Sequence, residues 1–140
     1  MNFVETTVLI ASAQEFHPKH AQSVDLVASL GPHNGVTAAH VLSEFYAITT
    51  GLAKGKRLSP QEAERFVESF RQRFLVVALD AEETVREILM SVSRGVAGGA
   101  IYDALILACA RKSRASAIYT LNLRDFHRIA PDLAAITREP

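Results

Sequence analysis

In the stretch GGAIYDALILACA, residues 98–110, a single carboxylate, Asp103, stands among neighbours that are almost all apolar. A helix that is apolar nearly all round is expected to be largely buried. An ionised carboxylate there is costly unless it is paired, hydrogen-bonded or bound to a metal. Two readings follow. Asp103 lies about one turn after Gly98-Gly99, so it can serve the first turn of its own helix, where an acid suits the helix dipole. Alternatively, it belongs to a site.

Working outward, the chain alternates helix-like and strand-like segments. After the helix Ala100–Ser113, Ala117–Thr120 reads as a strand. A loop is expected over Leu121–Phe126, with a last short strand near Ala134–Thr137. Upstream, Gly95 to Gly99 is a flexible break, and Asp80 with Glu83 three residues later marks a helix start. Phe74–Leu79 is apolar and partly β-branched, which predicts a buried strand. Ser59-Pro60-Gln61-Glu62 carries a serine cap, a proline at the first helical position and a glutamate placed to reach back, so a helix runs from there to about Arg73. Val41, Leu42, Phe45 and Ile48 mark a helix over Ala38–Gly51, and Ala21, Val24, Val27 and Ala28 mark another over His17–Leu30. Asn2–Glu5 reads as a first strand, Thr6–Ser12 as helical or extended, and Val36-Thr37 as the tail of a tiny strand. Helices separate most of the strands, which predicts a parallel sheet covered on both faces. In such sheets ligands sit beyond the carboxyl ends of the strands. Glu5 and Asp125 fall there.

The chain has 140 residues, a length that suggests one domain, 1–140, able to bury a core without staples. One cysteine, Cys109, precludes an intrachain disulfide and reads as a small core residue. The 15 basic and 15 acidic side chains cancel, which argues against a general nucleic-acid coat protein. No signal peptide is evident, and no apolar run approaches the ~20 residues needed to span a bilayer. A soluble, cytoplasmic protein is expected. His17 and His20 have no cysteine near them, so no zinc set is apparent. Gly98-Gly99 lacks a following Gly-Lys-Ser/Thr, and Ser43 lacks a surrounding G-x-S-x-G.

Three more carboxylates accompany Asp103, and each has an ordinary reading when taken alone. Glu5 follows Asn2-Phe3-Val4 as a strand-end residue reaching water, Glu44 is a helix-face residue beside His40, and Asp125 is a loop aspartate making a local turn. Their order tells more. The chain carries Glu5-Thr6-Thr7-Val8-Leu9-Ile10, then Ser43-Glu44-Phe45-Tyr46, then Tyr102-Asp103-Ala104-Leu105-Ile106, then Thr120, Asn122, Asp125 and Phe126 in the spacing T-x-N-x-x-D-F. Over residues 1 to about 130 this series resembles the PIN domain, and specifically the VapC-type ribonuclease toxins of toxin–antitoxin systems.

That resemblance implies a three-layer α/β fold with a central, mostly parallel sheet of 4–5 strands and helices on both faces. It also implies an endoribonuclease dependent on Mg²⁺ or Mn²⁺, with Glu5, Glu44, Asp103 and Asp125 in one acidic pocket. Hard divalent ions prefer carboxylate oxygens and water. On this basis Glu5 and Asp103 are expected as direct metal ligands and Asp125 as a ligand directly or through water. Glu44 would orient or deprotonate the attacking water or hold a second ion, and Thr120 and Asn122 would position groups. A homodimer and a cognate antitoxin that blocks the pocket with a basic side chain are implied as well, with the helices Ala38–Gly51 and Ser59–Arg73 as candidate surfaces. RNA phosphates need cations; Lys54, Lys56 and Arg57 are the candidate rim, and Arg111, Lys112 and Arg114 read as solvated or dipole-facing.

One position departs from the family: glutamate stands at residue 5 where aspartate is usual. The extra methylene shifts the carboxylate, and small misplacements can lower a rate by ~10²-fold. A working variant, a weakened natural enzyme and a deliberately disabled form are all compatible with it. Two other readings stand beside the nuclease: a PIN-fold protein that binds RNA or a partner without cutting, and a small α/β binding domain whose carboxylates are only caps.

Overall fold

The computed structural model describes residues 1–140. Five short strands form one all-parallel sheet: β1 (Asn2–Val4), β2 (Gly35–Ala38), β3 (Leu75–Val77), β4 (Ala117–Tyr119) and β5 (Thr137–Arg138), in the order β3-β2-β1-β4-β5. Helices connect them. They are α1 (Thr6–Ala13), α2 (His20–Ser29), α3 (Ala39–Gly51), α4 (Pro60–Arg73), α5 (Ala81–Ser93), α6 (Ala100–Lys112) and α7 (Leu123–Ile129). The chain steps from β1 to β2 to β3 in one direction, then crosses to β4 and β5 on the other side of β1. The order therefore reverses between β1 and β4, and the crevice beyond their carboxyl ends is where such sheets take ligands.

Right-handed crossovers put the two runs of helices on opposite faces. α1 packs on α2 and α3, and α3 on α4; α5 packs on α6, and α6 on α7. One apolar core joins both layers through the sheet, with Phe3, Val36 and Ile118 fully buried in the strands and Leu9, Phe45, Leu107 and Phe126 in the helices. Gly35 is required by packing: a Cβ there would stand 2.7 Å from the Phe74 ring. Ser59 with Glu62, and Asp80 with Glu83, form the two capping boxes expected of them. No helix is long and apolar enough to cross a membrane.

Four local expectations are corrected. Phe74–Leu79 is not a buried strand: β3 is an edge strand that pairs only with β2, and Leu75 is half exposed. The segment after β4 is a loop only as far as Asn122, after which α7 begins; its seven residues bury Phe126 and Ile129, too few to show a helical period. Residues Pro131–Ile136 form a 3-10 helix, and the last strand starts later, at Thr137. The helix expected from His17 begins at His20, because the chain first turns with Lys19 N donating to His17 Nδ1.

Candidate active site

α1, α3, α6 and α7 all start at the carboxyl edge of the sheet, around the β1/β4 crevice. Glu5 is the N-cap of α1, Asp103 lies in the first turn of α6, Asp125 in the first turn of α7 and Glu44 in the second turn of α3. The parallel sheet thus turns four positions scattered over the sequence into neighbours. Helix N-termini carry partial positive charge, which favours carboxylates at these places.

Glu5 is only 3% exposed, so it is not a strand-end residue reaching water. Its Oε2 accepts three hydrogen bonds: from Thr7 N at 3.0 Å, Thr7 Oγ1 at 2.6 Å and Thr120 Oγ1 at 2.9 Å. Both threonine hydroxyls also accept from the backbone after β4, Thr7 from Leu121 N and Thr120 from Asn122 N, each at 2.9 Å. The β1–α1 and β4–α7 junctions are thereby stitched together through one carboxylate. Burial pushes the Glu5 carboxyl up to about 7, against the hydrogen bonds from Thr7 and Thr120, and the charge of Asp103 pushes the same way.

Asp103 does not cap its helix: Gly99 occupies that place and no side-chain cap forms. Its carboxyl is pushed up to about 6, first by burial and then by the charges of Glu44 and Asp125, with Arg128 acting in the opposite sense. Asp103 therefore feels Glu44 and Asp125 and is felt by Glu5, which makes it the electrostatic hub of the four. Glu44 Oε2 accepts from Thr6 Oγ1 at 2.7 Å. Its Oε1 lies 3.4 Å from His40 Nε2, close enough for charge contact but not aligned as a hydrogen bond. The local partnership with His40 and membership of the cluster therefore hold together. Asp125 pairs with Arg128 at 3.3 Å across one turn of α7. Arg128 is the only cation paired with any of the four acids, apart from His40 when it is protonated.

Thr120, expected to position substrate, is fully buried and instead holds Glu5 through its hydroxyl; Asn122 is at the N-cap position of α7, with its side chain making no cap hydrogen bond. Thr6, Thr7, His40 and Arg128 were not legible as site residues. For the first two the signal was present as hydroxyls directly after Glu5; His40 and Arg128 lie one helical turn from Glu44 and Asp125, a spacing the sequence shows, but the fold alone gathers them at one site. No three His, Cys, Asp or Glu side chains are placed so that together they could hold a metal ion.

The cations expected to face RNA lie elsewhere. α1 and α3 both run back from the carboxyl edge of the sheet, and α3 covers ~20 Å in doing so. Lys56 lies over the ring of Phe16, 5.7 Å from its centroid, beyond the carboxyl-terminal ends of both helices. The Lys54–Arg57 loop is therefore at the opposite end of the molecule from the carboxylates, and its role as a rim to this pocket is withdrawn. Arg111 and Lys112 are ion-paired with Asp132 and Glu83. Large exposed apolar side chains occur on α3, as expected (Tyr46, Ile48), and also on α5 (Val85, Ile88, Leu89, Met90, Val92), which the sequence did not single out.

Comparison with known proteins adds an independent line. The PIN domain family model matches residues 3–131. Ribonuclease VapC27 of Mycobacterium tuberculosis (strain ATCC 25618 / H37Rv) is 30% identical over 113 residues, covering 80% of this chain and 78% of the relative. Among solved structures, Mycobacterium tuberculosis VapC20, described as a sarcin-ricin loop cleaving toxin, superposes with a TM-score of 0.72 at 20% identity, over 89% of this chain and 92% of that one. VapBC2 from Rickettsia felis, bound to a DNA fragment from its promoter, gives 0.64 at 21% identity, over 99% and 98%. The two structures share the fold with this chain.

Proposed function

Since the chain belongs to the PIN-domain family and is of the VapC type, we propose that it is a toxin-type endoribonuclease that hydrolyses RNA phosphodiester bonds with Mg²⁺ or Mn²⁺ at the Glu5/Glu44/Asp103/Asp125 cluster. Asp103 supports this most directly. It feels the charges of Glu44 and Asp125 and acts in turn on Glu5, and only Asp125 among the four has an arginine or lysine partner. Such a surplus of hard oxygen donors fits a hard divalent cation.

When bound, the ion supplies positive charge to the scissile phosphate and lowers the pKa of water. Glu5 and Asp103 would hold it, with Asp125 joining directly or through water. Thr7 and Thr120 fix Oε2 of Glu5, so the carboxylate is oriented before any ligand arrives. Glu44 is anchored through Oε2 by Thr6, which leaves Oε1 to orient an attacking water or take its proton. Asn122 would position the sugar-phosphate at the junction of the two strands, while the buried Thr120 acts on it only by holding Glu5. A homodimer and a cognate antitoxin go with this reading, and the apolar side chains exposed on α3 and α5 are surfaces such partners would cover. An antitoxin arginine or lysine placed among the carboxylates would supply the charge they lack.

A second reading, a PIN-fold protein weakened or silent in catalysis, has one observation in its favour: the longer Glu5 spends its Oε2 on three internal hydrogen bonds and holds its proton up to about pH 7. Cleavage of a labelled structured RNA by this chain and by Glu5→Asp, with Mg²⁺ or Mn²⁺ and with EDTA as control, separates the two. Cutting by both supports the active toxin, cutting by the aspartate form alone supports the weakened one, and cutting by neither argues against the nuclease.

A further inference from the structure

Tyr102 precedes Asp103 in α6 and is half exposed, an unusual place for a large aromatic side chain whose neighbours point inward. One face of its ring is stacked on His40, with centroids 5.3 Å apart and planes 21° from parallel. His40 is itself 3.4 Å from Glu44. The pair thus bridges α3 and α6 at the lip of the acidic cluster, in contact with Glu44 on one side and adjacent in sequence to Asp103 on the other. His40 also lines a cleft of 310 Å³ between α3, α5, α6 and the segment after β3, together with Ser43, Leu79, Thr84, Leu105 and Cys109.

We propose that Tyr102, backed by His40, is the stacking platform for an unpaired nucleobase next to the scissile phosphate. The inference rests on the ribonuclease reading above. An unstacked base offers a flat π-face, and a half-exposed tyrosine ring held in place by a second ring meets it without losing side-chain freedom on binding. The Lys54–Arg57 loop does not reach this end of the molecule, so Arg128 is the cation paired at the cluster, and base stacking adds affinity beyond its phosphate contact. The platform also fixes which side of the base the cluster meets, which makes Tyr102 a positioning and specificity-determining residue.

The test is binding of a single-stranded RNA carrying 2-aminopurine, whose fluorescence falls on stacking, in EDTA so that no cleavage occurs. The full chain is compared with Tyr102→Phe, Tyr102→Leu and His40→Ala, and a thermal melt checks that each is folded. Stacking on an aromatic side chain is worth ~1–3 kcal/mol per base, or a roughly 5- to 150-fold change in Kd. Tyr102→Phe is expected to keep both affinity and quenching, Tyr102→Leu to lose both by that factor, and His40→Ala to lose part. A fully base-paired version of the RNA is expected to bind with no dependence on Tyr102. Binding by the chain with unchanged quenching in Tyr102→Leu overturns the platform and leaves the ribonuclease reading standing. Absence of RNA binding by the chain overturns both.

Discussion

Replacing Glu5 with glutamine removes a buried charge while keeping the shape of the side chain and an oxygen for the hydrogen bonds from Thr7 and Thr120. In the folded chain Glu5 keeps its proton up to about pH 7, whereas in the unfolded chain it releases it near 4.5. Between those values the folded state binds more protons than the unfolded state, so stability falls as pH rises. The contribution is fully present below pH 4.5 and is gone once pH has passed 7. The separation corresponds to about 3 kcal/mol, a large part of the ~5–15 kcal/mol that holds a domain folded. Glu62, Glu68, Glu83 and Asp132 are shifted in the opposite direction and change protonation mainly below this window. Asp103 acts in the same sense as Glu5 up to about pH 6, so the comparison must be between proteins at matched pH.

Urea unfolding in EDTA at pH 5 and pH 8 measures this. The chain is expected to lose about 2.5 kcal/mol more than Glu5→Gln between the two values, the rest of the loss falling below pH 5. Mn²⁺ at pH 8 is expected to return stability to the chain and to return less to the variant, because an ion that binds only the folded state stabilises it by mass action. An equal pH dependence in the two proteins would refute the view that the buried Glu5 carboxyl resists ionisation.

Two further changes probe the supports of the site. Thr120→Val removes the hydroxyl that donates to Glu5 and accepts from Asn122 N; urea unfolding at pH 8 is expected to show a loss of about 1–3 kcal/mol, with a steeper fall of stability with pH than in the unaltered chain. Ser59→Ala breaks the capping box at the start of α4, remote from the carboxylates. Unfolding is expected to record a loss of about 1 kcal/mol while RNA cleavage at a temperature well below the melt stays unchanged.

How far the sequence foretold this molecule depended on the length of each signal. The helices with capping boxes, at Ser59 and Asp80, were readable because the bonds that start them lie within four residues. The strands were less so: at two to four residues each they show no period, and β2 appeared only as the tail Val36-Thr37. α7 was hidden because its register is set by burying Phe126 and Ile129 against the rest of the core, which local propensity does not encode. The four acids were found from their order along the chain; the ordinary readings of Glu44 beside His40 and of Asp103 in the first turn of its helix hold as well, whereas that of Glu5 gave way for a reason seen only in three dimensions. Glu5 is sealed under Thr7 and Thr120, and Asp103 leaves the cap of α6 to Gly99. The Lys54–Arg57 loop went astray because charge alone says nothing about which end of a helix reaches the site. His40 and Tyr102, 62 positions apart, meet only because α3 and α6 both begin at the carboxyl edge of the sheet.

Everything proposed for this site requires that four carboxylates on four helices act as one metal centre. Mn²⁺ binding followed by electron paramagnetic resonance at pH 8, with the chain and Asp103→Asn at equal concentration, tests this most directly. Loss of the free-ion signal with the chain, and its persistence with Asp103→Asn in a protein that still melts cooperatively, is the expected result. Equal uptake of Mn²⁺ by both proteins, or uptake by neither, would contradict it.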